Sequence, residues 1–287
     1  MATALQVLAG GLLLGAVYAL FSSGLTLVWG MMNVVNFAHG DFVMVGMYLA
    51  FLTVTWLHAG PLVFTSVAAA LLFVLGTLVY YSLIRHVLRG PMLAQILSTF
   101  GLALLIRYSA FWIFSANFIT LPGSSLGVAI NLGGILVSLP QLVSGLVALA
   151  LTVGMHTLLT RTAVGSQILA VAEDRQAAML MGIRTDRMQA LAWGMASAAA
   201  GIAGALIATF YYISPTVGES LVIIAFVVVA FGGFGSVPGA MVAGLVIGVI
   251  EAASAFYIGP VYKDVVVYAL FVAILWVRPQ GLMGQRA

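Results

Sequence analysis

An ionisable side chain within a long apolar run is functional until explained, because holding its charge near the middle of a lipid-spanning helix costs roughly 2.5–3.5 kcal/mol on insertion scales. Three such side chains, Asp41, Arg107 and Glu251, interrupt this sequence. Asp41 closes the stretch Gly30-Met-Met-Asn33-Val-Val-Asn36-Phe-Ala-His39-Gly-Asp41, where Gly, Asn, His and Asp break the apolar pattern. The stretch reads either as a plain inner turn or as an unwound segment at membrane depth, tolerated only where protein or water satisfies its backbone. Asp41 itself either orders that segment and lines a pore beside Asn33, Asn36 and His39, or starts a helix near the inner surface, where its charge favours the helix N-terminus. Arg107 and Glu251 fall on separate apolar runs and either form a buried pair or snorkel to the outer surface. A second break at 231–239 carries Gly232, Gly233 and Gly235.

Other chemistries find no residues here. The chain has no cysteine, and its histidines are not spaced as metal ligands, so neither a disulfide nor a metal site is expected. His-Glu-x-x-His is missing, and so is the ATP-binding Gly-rich loop with its Lys. The sequence is therefore read as a non-enzyme that needs no cofactor. His58, His86 and His156 are isolated, and Glu219 and the Lys263–Asp264 pair read as boundary residues.

The elements that must position these residues follow from composition. Of 287 residues, 63% are hydrophobic and 6% charged, and the mean hydropathy is +1.20. A soluble domain carries about 25% charged residues, so a soluble enzyme and a disordered chain are excluded. The glycines show no period of three, which excludes a collagen-like chain. Uncharged runs from Met1 to Gly40, Phe42 to Ile84 and Tyr108 to Thr160 are far longer than the 9–11 or so residues of a barrel strand. The expected fold is all-α: a polytopic membrane bundle of about eight or nine spanning helices, one or two of them broken, forming a single transmembrane domain over 1–287. The spans are placed near 4–28, 37–57, 62–84, 93–114, 139–160, 188–212, 219–234, 238–256 and 265–277. No cleavable leader is expected, because no basic residue precedes the first apolar run.

Eight of the ten basic residues fall in three groups: Arg85 and Arg89; Arg161, Arg175, Arg184 and Arg187; and Arg278 and Arg286. An even number of spans separates each group from the next. The positive-inside rule then places all three, with the C-terminus, in the cytoplasm. These residues act as orientation signals, so the sequence pI near 9.3 does not imply nucleic-acid binding. The stretch 115–138, with Pro122, Gly123, Gly127, Gly133 and Gly134, lies outside. Small residues recur every four positions in Gly11/Gly15/Ala19, Ala196/Ala200/Gly204 and Ala240/Gly244/Gly248/Ala252, which suits close helix packing.

The loop 162–187 predicts a short helix over 170–181, ended by Gly182 as the C′ residue, with Thr185 capping the next helix and Asp186 in its first turn. Its charged residues stand beside Ala177, Ala178, Met179, Leu180 and Met181. That composition suits either docking to a partner, since Met adapts to a groove, or resting on lipid headgroups.

At this loop and at the first break, the sequence resembles the LivH-type permease subunits of branched-chain amino acid ABC importers. The matching stretches are Asn36-Phe-Ala-His-Gly-Asp41, Ala172-Glu-Asp-Arg-Gln-Ala-Ala178 with Met181-Gly-Ile183, Gly232-Gly-Phe-Gly-Ser236 followed by Pro238-Gly-Ala240, and Tyr262-Lys-Asp264 with Arg278-Pro-Gln-Gly281. They run in family order over nearly the whole chain. The resemblance implies an inner-membrane pore formed with a second, homologous LivM-like permease. It also implies two cytoplasmic ATPase subunits and a periplasmic substrate-binding protein. Glu173, Asp174, Ala178 and Gly182 would then belong to the helix that engages an ATPase. A cation at Arg107 departs from the family, where a neutral amide is common. Relatives also import urea, short amides or other small acids, and an ion-coupled transporter acting alone is the reading from another class.

Overall fold

The computed structural model describes residues 2–122, 129–132, 135–278 and 280–284; Gly123, Gly127, Gly133, Gly134, Pro279 and Arg286 of the sequence reading lie outside the described residues. Helices α1 (Ala2–Met32), α2 (His39–Leu57), α3 (Pro61–Val79, continued by a π-helical turn at Tyr80–Ile84 and by Arg85–Val87) and α4 (Met92–Phe114) form the first half. A short hairpin of β1 (Ala129–Leu132) and β2 (Ile135–Ser138) follows. The second half contains α5 (Leu139–Arg161), α6 (Ala163–Glu173), α7 (Arg175–Leu180), α8 (Thr185–Ile207), α9 (Val217–Gly232), α10 (Val237–Tyr257) and α11 (Lys263–Val277).

Among the described residues, seven helices are long and apolar enough to cross a membrane. Two of the nine expected spans are shorter: α9 has 16 residues and α11 has 15. At 1.5 Å per residue, α9 covers about 24 Å, less than the roughly 30 Å of hydrocarbon. One end of α9 therefore lies inside the bundle. The hairpin was not expected either. Its signal was present, since two short β-prone runs flank Gly133-Gly134.

Small residues set the packing. α1 and α10 run antiparallel with backbones in contact: a Cβ at Gly15 would lie 2.6 Å from the Gly244 carbonyl oxygen. α8 holds the middle of the bundle. Gly24 of α1 meets Ala196, Gly204 lies against the Val43 carbonyl of α2, and Gly201 meets Leu72 of α3. The four-residue spacing of small residues thus serves close helix approach. In lipid, where apolar side chains gain little by leaving their surroundings, that approach is what holds helices together.

Arginines gather at one end. Arg85, after α3, and Arg175, on α7, both bind the carboxylate of Asp186 at the start of α8, at 3.0 and 3.4 Å. The opposite end carries the hairpin and a backbone bridge between Ile119 and Ile213.

Candidate functional site

The first break runs through the bundle. α1 ends at Met32, and Asn33 takes a left-handed backbone with φ of 52°. The freed backbone finds partners: the Ala38 N–H donates to Asn36 Oδ1 (3.1 Å), and the Thr99 hydroxyl of α4 donates to the Val35 carbonyl (2.8 Å). The buried His39 ring uses Nε2 to contact the Phe21 carbonyl at 2.7 Å. A carbonyl can only accept, so Nε2 carries the proton. Phe37 packs edge-on between Phe226 of α9 and Phe100 of α4, at 5.4 and 6.3 Å.

The segment ends at a charged triad. Arg107 donates through Nε to Asp41 Oδ1 and through Nη2 to Asp41 Oδ2, both at 3.2 Å, and through Nη1 to Glu219 Oε1. Asp41 is fully buried, the Arg107 side chain is 12% exposed and that of Glu219 is 57% exposed. Depth follows from α4. Arg107 lies about 12 Å beyond Thr99 along the helix axis and about 10 Å short of Phe114, where α4 ends. The chain therefore climbs from the basic end to the triad before α2 begins. This is an unwound segment at depth rather than an inner turn. Asp41 does sit in the first turn of a helix, but that helix starts inside the bundle.

The pairing of Arg107 with Glu251 is overturned. Glu251 accepts instead from the Tyr18 hydroxyl of α1 (2.7 Å) and from the Lys263 ammonium at the start of α11 (2.5 Å). The reason is which helix faces meet: Glu251 faces α1, whereas Arg107 stands beside α2 and the start of α9. Glu219, a boundary residue by its place in the sequence, is instead the third member of the triad. Its signal lay in its position, in the first turn of a helix too short to bring both ends to the surface.

The second break closes on itself at the basic end. Gly233 and Gly235 take φ of 103° and 82°, where a side chain would be strained. Gly232 ends α9, and Ser236 caps α10 by accepting the Gly239 N–H at 3.1 Å. The terminal carbonyls of α9 are met from the C-terminal segment. Leu282 N–H donates to Phe231 O (2.7 Å) and Met283 N–H to Gly232 O (2.9 Å). Asn33, Gly235, Ser236, Gln280 and Glu173 line a common cavity of about 620 Å³. The two breaks thus meet there: Gly30, Met31 and Asn33 line the cavity from the first stretch, whereas Asn36, His39 and Asp41 lie away from it.

The 162–187 loop is two helices, not one over 170–181. Asp174 is extended (φ −149°, ψ 105°), which ends α6, and its carboxylate caps α7 by accepting from Gln176 and Ala177 N–H at 2.8 and 3.0 Å. An Asp side chain bonding its own downstream amides competes with helix continuation. Gly182 ends α7 with φ of 82°, as its position suggests. Thr185 is the first helical residue of α8, and no side chain caps that helix. Glu173, Asp174 and Gly182 are exposed, whereas Ala178 is buried and anchors α7 to the bundle. Leu180 and Met181 stand out at 89% and 83% exposure.

A carboxylate exposed at the depth of Glu219 is tenable only where water or another protein meets it. An apolar knob at the basic end offers a grip to a second chain. Together they fit a solute-conducting subunit of a larger membrane assembly. The family model described as branched-chain amino acid transport system / permease component matches residues 7–275, and the chain belongs to that family. It is 32% identical over 295 residues to the high-affinity branched-chain amino acid transport permease BraD of Pseudomonas aeruginosa, covering 98% of this chain and 96% of that one. Over 311 residues it is 33% identical to LivH of Escherichia coli K12, with the same coverage. A probable LivH of Methanocaldococcus jannaschii is 28% identical over 294 residues, covering 97% of this chain and 92% of that one. No solved structure gives a significant match.

Proposed function

We propose that this permease conducts branched-chain amino acids along the face formed by the 33–41 segment, α4 and the start of α9. A second, homologous permease covers that face. The observation that carries the reading is Glu219, whose side chain is 57% exposed within the bilayer's span. Lipid would penalise it, whereas a pathway between two permeases would hydrate it. The basic end faces the cytoplasm of a bacterial cell by the positive-inside rule, and the C-terminus lies with it. There the knob of Leu180 and Met181 docks in a groove of one of two ATPase subunits, with Glu173, Asp174 and Gly182 shaping the contact. A periplasmic binding protein delivers substrate at the other end. ATPase closure pushes on α6 and α7 and rocks the permeases between outward and inward openings.

The test is reconstitution in proteoliposomes. Labelled leucine should accumulate only when all subunits, the loaded binding protein and ATP are present. Uptake by this chain alone, driven by an ion gradient, would instead establish a self-sufficient transporter. Replacing Glu173 or Gly182 should reduce uptake while the protein remains in the membrane.

A further inference from the structure

Arg107 is largely turned away from the open face: three of its five N–H groups go to Asp41 and Glu219, and its side chain is 12% exposed. What the triad presents is an acceptor. One guanidinium between two carboxylates leaves a net negative charge, and the exposed member of the triad is Glu219, of which only Oε1 is engaged among the described residues. Ser220, exposed beside it, offers a hydroxyl. Below it on the same face of α9 come Ile223, 39% exposed, and the half-buried Phe226. They lie four and seven residues on, so about 6 and 10 Å along the helix axis. A carboxylate and a hydroxyl above a branched aliphatic and aromatic wall match a small solute with an ammonium, a carboxylate and an aliphatic side chain. A free acid lacking the ammonium would keep the hydroxyl contact but would meet the Glu219 carboxylate with a charge of the same sign.

We propose that Glu219 is a specificity-determining residue of the pathway: it receives the substrate ammonium, with Arg107 holding it in place, and it excludes acids that lack an amine. This rests on the proposal that the face lines the route. The experiment uses the importer assembled with its other subunits and labelled leucine as probe. E219Q keeps an oxygen for Arg107 but removes the charge. Losing a charge-assisted bond to the passing ammonium should lower the maximal uptake rate by about tenfold or more. The KM, set where the binding protein captures substrate, should stay unchanged. E219D should restore most of the rate, and both variants should match the parent in membrane abundance and unfolding. A maximal rate unchanged in E219Q, while the parent transports leucine, overturns this inference alone. A parent importer that moves 4-methylpentanoate, the deaminated leucine skeleton, as well as leucine overturns it too. Failure of the parent to take up leucine overturns the proposed substrate and this inference together.

Discussion

Replacing Arg107 by leucine tests whether the triad holds the first break in place. Asp41 is fully buried, and the two bonds it receives from Arg107 at 3.2 Å are its only side-chain partners among the described residues. Leucine removes both and leaves a carboxylate surrounded by protein at membrane depth. Breaking a buried pair from one side costs about 3–5 kcal/mol, because the remaining charge has lost its compensation. Glu219 gives the internal contrast. Its side chain is more than half exposed, and neutralising it should cost under about 1 kcal/mol, the usual worth of an exposed pair. The assay is equilibrium unfolding of the purified chain in mixed micelles, with the parent, R107L, R107Q, E219Q and the double variant D41N/R107Q in parallel. The double variant removes charge from both partners, so it should recover most of the loss. R107L matching the parent, or D41N/R107Q no more stable than R107Q, would refute the claim that the triad anchors α2.

Three further outcomes follow from local geometry. Gly40→Leu would place its Cβ 2.1 Å from the Gly218 carbonyl oxygen and 2.6 Å from the Val222 nitrogen. Both are backbone atoms that cannot swing away, so a loss of about 1–3 kcal/mol or more is expected, visible as reduced folded protein in membranes. Asp174→Ala removes the acceptor for two N–H groups of α7, which should weaken the start of that helix by about 1 kcal/mol. Substrate-stimulated ATP hydrolysis by the assembled importer should fall, and Asn at the same position should largely preserve it. Leu282→Pro deletes the N–H that meets the Phe231 carbonyl. It should destabilise the chain by about 1–3 kcal/mol in the same unfolding assay, whereas Leu282→Ala, which keeps the N–H, should lie much closer to the parent.

The sequence by itself determined seven of the nine spans it suggested, because bilayer thickness fixes how long an apolar run must be, and the runs ending near Leu57, Arg161 and Tyr257 are bounded by Pro, Gly or charge. It also located both breaks and the end of α7 at Gly182, since glycine and asparagine mark backbone that a helix cannot hold. Only the tertiary structure decided who pairs with whom. Arg107 and Glu251 are each single charges on apolar helices, and nothing in a linear pattern says which faces turn toward each other. That Arg107 meets Asp41 and Glu219 depends on a segment that climbs unwound through the bundle and on a helix that begins inside it. The split at Asp174 escaped for a related reason: whether a carboxylate serves as a cap or as a surface charge depends on where the backbone on either side is held. Charge placement is a one-dimensional fact, whereas charge compensation is a property of packed helices.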